Sequence, residues 1–167
     1  MRHSVSILLM FTIGALSAPS TSAQSPAAAG FEKLKSLVGE WQSKSPDGQS
    51  VTVSYQILSG GVALMETLKP ANEPGMVSIY HIDGADLRMT HFCTAGNQPR
   101  MRAKAPSGEI KQLRFVFVDA TNLAKSSDDH IRGLTITFQD KDHITQEWAV
   151  REGGKDSFTT HKLERKK

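Results

Sequence analysis

The sequence predicts an all-β protein, an antiparallel up-and-down barrel of about ten strands preceded by a short N-terminal helix. From residue 41 onward, most of the chain consists of short segments in which apolar and polar residues alternate. Tight-turn sequences join many of these segments, among them Gly60-Gly61, Asp83-Gly84 and Gly153-Gly154. A meander of short antiparallel strands removes its exposed edges by closing into a barrel.

The N-terminus has the layout of a secretory signal peptide. A basic start at Met1-Arg2-His3 is followed by an apolar run, Val5 to Ala18, and by the small residues Thr21-Ser22-Ala23. The run is shorter than the ~20 apolar residues that span a bilayer, so we expect cleavage after Ala23 rather than a membrane anchor. The protein is therefore predicted to be exported, periplasmic or secreted, without stable membrane insertion after cleavage. The predicted organisation is a signal peptide over 1–23, a flexible leader over 24–30 and a single barrel domain over 31–167.

The net charge and the cysteine count limit which partners the protein can bind and how its fold can be stabilised. The formal charge of +3 is too small, and too concentrated at the C-terminus, to predict a nucleic-acid-binding protein. Cys93 is the single cysteine of the sequence. No disulfide can form within the chain, so an exported domain has to rely on its core for stability.

The helix is predicted over Phe31–Val38, and Gly39 is expected to end it. Its apolar stripe consists of Phe31, Leu34, Leu37 and Val38. Trp41 then begins a polar strand, which ends at the turn sequence Ser45-Pro46-Asp47-Gly48.

The first hairpins determine which side chains face inward. A turn at Gly60-Gly61 pairs Tyr55 with Glu66, which places Glu66 on the inner face. A two-residue turn at Asp83-Gly84 pairs Tyr80 with Leu87 and Ser78 with Met89, and Met76 with His91. The inner face of the second strand of that hairpin is then expected to carry Leu87, Met89, His91 and Cys93.

The later strands follow the same alternation, although the inner face of the last ones is not fixed by the sequence. The turn at Gly153-Gly154 places Arg151 opposite Asp156, and Glu152 opposite Lys155, as two cross-strand pairs of opposite charge. The predicted strands after the central hairpin are Arg100–Lys104, Leu113–Phe117, Leu134–Phe138, His143–Arg151 and Ser157–Arg165.

A short helix, then Gly39-Glu40-Trp41, then a series of hairpins that ends in Leu163-Glu164-Arg165, resembles the calycin superfamily. That resemblance implies a barrel in which Trp41 packs near the closed end and Arg165 covers it. The run Thr90-His91-Phe92-Cys93 with the following Gly-Asn-Gln-Pro-Arg-Met is similar to a group of exported bacterial calycin-like proteins without an established activity. Members of that group often carry His-x-His where this chain has His130-Ile131-Arg132.

The superfamily also includes nitrobindin-type haem barrels, to which the match is looser. The glycines expected after the tryptophan are Ser43 and Ser45 in this chain. No resident cofactor is therefore predicted, with haem as the open alternative. His161, which shares a strand face with Thr159 and Leu163, is the candidate axial ligand if its side chain points inward.

An inner face that is mostly apolar with a few polar groups is typical of a small-molecule site. We expect Glu66 to have a partner among His91, Tyr55 and Tyr80, because a buried unpaired carboxylate is costly. The same residues could instead form a structural hydrogen-bond cluster. The predicted ligand-binding residues are Tyr55, Glu66, Met76, Tyr80, Met89, His91 and Cys93.

His91 and Cys93 lie two positions apart and would supply two ligands to a metal ion, fewer than a structural zinc site uses. No metal site is therefore predicted. Cys93 beside His91 could act as a nucleophile, but a buried free cysteine more often behaves as an inert small hydrophobe. The basic residues Arg88, Arg100, Arg102 and Lys104 are read as a solvated face, or as a contact for an anionic head group.

Three functions remain open at this point. The favoured one is a barrel that binds a small hydrophobic or amphipathic molecule, because ten strands are wide enough to leave a lumen. The second is an enzyme that uses Glu66 and His91 as an acid–base pair on such a molecule. The third is a filled, purely structural barrel.

Overall fold

The computed structural model describes residues 24–44, 48 and 50–167, and it confirms the predicted fold class. One α-helix, α1 (Pro26–Lys35), precedes ten antiparallel strands that close into a barrel in which sequence neighbours pair and β1 pairs with β10. The predicted signal peptide, residues 1–23, and residues 45–47 of the predicted first turn lie outside the described residues. The strands are β1 (Gly39–Lys44), β2 (Ser50–Leu58), β3 (Ala63–Pro70), β4 (Met76–Asp83), β5 (Asp86–Phe92), β6 (Gln98–Ala103), β7 (Gln112–Thr121), β8 (His130–Phe138), β9 (His143–Glu152) and β10 (Lys155–Arg165).

Helix α1 begins earlier and ends earlier than the sequence predicts. Residues 26–30, assigned to the flexible leader, are helical because Ser25 caps the helix and Pro26 occupies its first turn. The Ser25 hydroxyl accepts a hydrogen bond from the backbone N–H of Ala28 at 3.2 Å. The helix stops at Lys35, and Val38, predicted to belong to the apolar stripe, is exposed.

The early helix end follows from the contacts at one end of the barrel. The Arg165 guanidinium donates to the carbonyl oxygens of Ser36 and Val38 at 2.9 and 2.8 Å. The indole N–H of Trp41 donates to the carbonyl oxygen of Leu37 at 2.7 Å. These side chains satisfy carbonyls that a longer helix would have bonded internally. The Arg165 guanidinium also lies 4.2 Å from the centre of the Trp41 ring. We call this end, covered by α1 and Arg165, the closed end.

The predicted hairpin registers are correct at two turns and displaced at a third. Tyr55 pairs with Glu66, and Arg151 pairs with Asp156, as predicted. At the central hairpin, Tyr80 pairs with Met89 rather than Leu87, because Gly84 and Ala85 form the turn and Asp83 pairs with Asp86. Gly84 has a φ of +59°, a conformation that suits glycine in such a turn.

The displacement at the central hairpin amounts to two residues, so each side chain keeps its predicted face. Ser78 therefore pairs with His91, and the predicted partners Ser78–Met89 and Met76–His91 are wrong. Leu87, Met89 and His91 are buried on the inner face as expected. Strand β6 likewise begins at Gln98, two residues before the predicted Arg100.

The opposite end of the barrel, which we call the open end, is formed by the end of β5 and the start of β10. On β10 the buried residues His161 and Leu163 lie on the same face as Ser157 and Thr159, which precede them along the strand. Thr159 and Ser157 are nevertheless exposed. The inner face of β10 thus passes from buried to solvent-exposed within a few residues, and His161 lies at the boundary.

Candidate functional site

A row of polar side chains crosses the inner face of four adjacent strands. Tyr55 on β2 pairs with Glu66 on β3, Glu66 pairs with Ser78 on β4, and Ser78 pairs with His91 on β5. Because directly opposed residues in a sheet present their side chains on the same face, all four point into the barrel. Each of them is buried.

Glu66 is held by groups from both sides of the barrel. The Tyr80 hydroxyl donates to its Oε2 at 2.7 Å, and the Gln146 amide Nε2 donates to the same oxygen at 3.0 Å. The Gln146 Nε2 also donates to the Tyr55 hydroxyl oxygen at 2.7 Å. Glu66 therefore has the tyrosine partner that the sequence predicts, and in addition an amide partner from β9.

Contacts continue from Gln146 around the interior. The Trp148 indole N–H donates to the Gln146 Oε1 at 3.1 Å, and the Trp148 ring centre lies 5.1 Å from that of His91. His91 Nδ1 is 3.0 Å from the Ser78 hydroxyl oxygen, and Ser78 is the strand partner of Glu66. These contacts close a circuit, which we call the polar ring, formed by Glu66, Gln146, Trp148, His91 and Ser78.

Two atoms of the polar ring are buried and have no hydrogen-bond partner within the described structure. They are the Oε1 of Glu66 and the Nε2 of His91. Both side chains are 1% exposed. Buried polar atoms of this kind are uncommon in folded proteins, and each one calls for an explanation such as a bound molecule or a functional role. No hydrogen bond joins Glu66 to His91.

Burial controls the charge states in the ring. It raises the pKa of the Glu66 carboxyl, although Tyr80, Tyr55 and Gln146 act in the opposite direction. It lowers the pKa of His91 to about 4, which makes this imidazole neutral at physiological pH. The pKa values of Tyr55 and Tyr80 are raised by burial and further by the charge of Glu66, so both hydroxyls keep their protons.

The remaining predicted site residues are less closely associated with the ring. Met89 is buried between Tyr80 and Met101 as their strand partner. Met76 and Cys93 are half-buried and pack against the core near the open end. Cys93 follows the last residue of β5, and its backbone N–H donates to the carbonyl oxygen of Asn97 at 3.1 Å.

His161 points inward, a direction that the sequence left open. It is 7% exposed, pairs with Gln146 across β10 and β9, and its Nδ1 is buried without a partner. Burial lowers its pKa, so the neutral imidazole is favoured. A third unpartnered nitrogen or oxygen atom therefore lies beside Gln146 of the polar ring.

Gln146, Trp148 and Ser78 complete the site and are absent from the predicted set. Ile144, Gln146, Trp148 and Val150 alternate on one face of β9, so the apolar members of that face could have identified Gln146 as inward. Ser78 could have been found from its place between Met76 and Tyr80.

The basic residues of β5 and β6 form an outward-facing patch with acidic partners. The Arg100 guanidinium forms a bidentate ion pair with Asp119 at 2.6 and 2.9 Å, and the Arg88 Nε lies 3.0 Å from Asp83 Oδ2. This arrangement fits the reading of a solvated face. It does not bring these cations to the polar ring.

Two depressions lie at the ends of the barrel, and no predicted site residue lines them. One, of about 740 Å³, lies between the β5–β6, β7–β8 and β9–β10 connections and is lined by Asn97, Asp128 and Asp129 among others. Another, of about 470 Å³, lies beside α1 at the closed end. Within the described ranges no three His, Cys, Asp or Glu side chains are grouped in a way that could hold a metal ion. In the same ranges, no helix has the length and hydropathy needed to cross a membrane.

Comparison with known proteins supports the fold and goes no further. No protein-family model matches the sequence, and a search of curated proteins finds no significant match. The chain is similar in structure to Rv2717c from M. tuberculosis, with a TM-score of 0.56 and 13% identity over 87% of this chain and 100% of that one. It also matches a protein of unknown function from the DUF3598 family of Nostoc punctiforme, with a TM-score of 0.45 and 15% identity over 80% of this chain and 49% of that one. The likeness to Rv2717c shows a shared fold.

Proposed function

We propose that the mature protein is an exported, calycin-like barrel that binds a small hydrophobic or amphipathic molecule on the open-end side of the polar ring. The observation that carries this proposal is the presence of unpartnered polar atoms on Glu66, His91 and His161, in an interior that is mainly apolar. A ligand with one polar end would satisfy such atoms, while its apolar part packs against Met76, Cys93 and Trp148.

Native mass spectrometry of the mature chain, from Gln24 and purified gently from the exported fraction, tests this proposal. We expect an additional mass that disappears in a denatured sample. A bare mass that stays unchanged after incubation with mixed lipids would favour the filled, structural barrel instead.

A pair of histidine variants connects the bound mass to the site. His91→Phe removes the unpartnered Nε2 and keeps a planar ring, and we expect occupancy to fall about tenfold or more. His81→Phe is the matched control, because His81 is exposed on the outer face of β4. Equal occupancy in the two variants would argue against binding at the polar ring.

A haem-binding barrel is the second candidate, favoured by the position of His161. A neutral, inward-facing imidazole is what an iron ion accepts as an axial ligand, and the lowered pKa of His161 keeps it neutral. Haem would supply ligand-binding or redox chemistry at its iron. Haemin titration followed in the Soret region tests this candidate: a band that His161→Ala abolishes and His81→Ala preserves supports it, and a spectrum equal to free haemin rejects it.

The enzyme alternative has less support. Glu66 and His91 each bond to other residues and not to one another, and the lowered pKa of His91 reduces its capacity as a base. Binding without chemistry is therefore the function that the arrangement favours.

A further inference from the structure

The charged side chains buried inside the barrel indicate which chemical class of ligand the proposed site would bind. Among the fully buried side chains of the described residues, Glu66 is the one carboxylate, and there is no lysine or arginine. Arg88 on β5 and Arg100 on β6 face outward and pair with Asp83 and Asp119. An anionic group at the polar ring would thus meet a carboxylate and no compensating cation.

The buried histidines do not change this balance. Burial favours the uncharged imidazole at both His91 and His161. The third, His130, lies at the start of β8, where its Nδ1 is 2.6 Å from the carbonyl oxygen of Asp128. His130 packs on Phe117, away from the contacts that form the polar ring.

The unpartnered atoms of the ring specify hydrogen-bonding capacity. The Oε2 of Glu66 already accepts bonds from Tyr80 and Gln146, which leaves Oε1 for a ligand. The Nδ1 of His91 is bonded to Ser78, so its Nε2 is left as a donor in one tautomer and an acceptor in the other. A primary amide, with two N–H donors and a carbonyl acceptor, satisfies both atoms in either tautomer, and an alcohol does so when the His91 Nε2 carries the proton. A carboxylate offers acceptors alone, so beside an ionised Glu66, the state expected at alkaline pH, it leaves the Oε1 unpaired.

We propose that the polar ring selects ligands whose buried end is uncharged and both donates and accepts hydrogen bonds, as in a primary amide or an alcohol, over ligands that end in a carboxylate. This inference rests on the proposed binding function and gives it a substrate class. The conventional solution for a carboxylate ligand, a buried arginine, is absent from the described interior.

Isothermal titration of the mature protein with octanamide and octanoate at slightly alkaline pH provides the test. The two compounds share an alkyl chain and differ at the polar end. We expect octanamide to bind at least about tenfold more tightly, since one good hydrogen bond and one avoided charge repulsion together exceed a tenfold change in affinity. Equal affinities, or tighter binding of octanoate, would overturn the inference and leave the proposed binding function in place.

Variants assign the selectivity to Glu66. Glu66→Gln removes the charge and keeps the shape, so octanoate affinity should rise about tenfold and the preference for octanamide should largely disappear. Glu147→Gln is the matched control, because Glu147 is exposed and lies next to Gln146 on the outer face of β9. An equal gain in both variants would attribute the effect to net charge and contradict the inference.

The two proposals fail in distinguishable ways. Should Glu66→Gln not fold, as judged by circular dichroism, the wild-type comparison of the two compounds still decides the question of selectivity. Binding of neither compound, together with a bare mass in native spectrometry, would overturn the proposed function and this inference with it.

Discussion

The Gln146 side chain on β9 reaches across the barrel interior to Glu66 on β3, where its Nε2 lies 3.0 Å from the carboxylate Oε2. The same nitrogen lies 2.7 Å from the Tyr55 hydroxyl oxygen, and the amide oxygen accepts from the Trp148 indole. One amide thus bonds to three buried polar groups from three strands.

Replacing Gln146 with leucine is expected to lower the free energy of unfolding by about 3 kcal/mol, because buried polar groups of Tyr55, Glu66 and Trp148 would each lose a partner. Urea denaturation followed by fluorescence measures this change. Gln56→Leu is the control, because Gln56 is exposed on β2, and it should stay within about 0.5 kcal/mol of the wild type. A similar, small effect at both positions would show that the amide is dispensable.

Arg165 closes the other end of the molecule, and its replacement by alanine should cost about 2 kcal/mol of unfolding free energy. The loss combines the contact with the Trp41 ring and the hydrogen bonds to the carbonyl oxygens of Ser36 and Val38. Arg165→Lys should recover less than half, since an ammonium cannot bond in several directions while it stacks on an indole. Chemical denaturation of the three proteins tests this, and full recovery by lysine would contradict it.

The sequence was sufficient to predict which strand side chains face the barrel interior. It was less reliable for the bounds of the N-terminal helix. Alternation and the turn at Gly60-Gly61 are enough to place Glu66 opposite Tyr55. The displacement at Asp83-Gly84 was harmless, because a shift of two residues preserves the inner face. An error of one residue would have turned His91 to the solvent.

Other features depend on contacts that no local pattern contains. Gln146 is a polar residue at an inward position, and its role arises from Glu66 and Tyr55, which lie 80 and 91 residues away. The end of α1 at Lys35 depends on the carbonyl bonds made by Arg165, which come from the far end of the chain. Both are tertiary effects that override local propensity.

The buried neutral His91 should make stability fall as the pH is lowered. Burial sets its pKa to about 4, below the value of 6.5 for an exposed histidine. Between these values the unfolded chain binds a proton that the folded chain does not. The contribution of His91 is therefore present above about pH 6.5 and is lost as the pH falls toward 4. The lowered pKa of His161 also makes stability fall as the pH is lowered. The raised pKa of Glu66 has the opposite effect, because it favours the folded state as the pH is lowered.

A His91→Gln variant separates these contributions. Between pH 7 and pH 5 its free energy of unfolding should fall by about 2 kcal/mol less than that of the wild type. Urea denaturation at a series of pH values measures the difference. His81→Gln, at an exposed position, should follow the wild-type curve. Identical pH dependence in wild type and His91→Gln would show that His91 is not buried in its neutral form.

Gly30 lies in α1, within the stretch that the sequence assigned to a flexible leader, and it controls how closely the helix approaches the barrel. A Cβ atom at Gly30 would lie 2.6 Å from the Cβ of Ala105 and 2.9 Å from the Leu87 Cδ1. Gly30→Ala should therefore reduce stability by about 1–2 kcal/mol, although alanine alone would favour the helix by about 1 kcal/mol. If residues 26–30 were a loose leader, the substitution would be neutral or stabilising.

The pair Gly30→Ala and Ala105→Gly distinguishes steric contact from other causes. Ala105→Gly removes the methyl group that Gly30→Ala would strike, so the double variant should be more stable than the sum of the single changes predicts. We expect a coupling free energy of about 1 kcal/mol, measured by thermal or urea denaturation in a double-mutant cycle. Additive effects would mean that α1 does not pack at this distance on the closed end. The closed end would then be looser than its contacts indicate, because a Cβ atom at Gly30 would lie only 2.6 Å from the Cβ of Ala105.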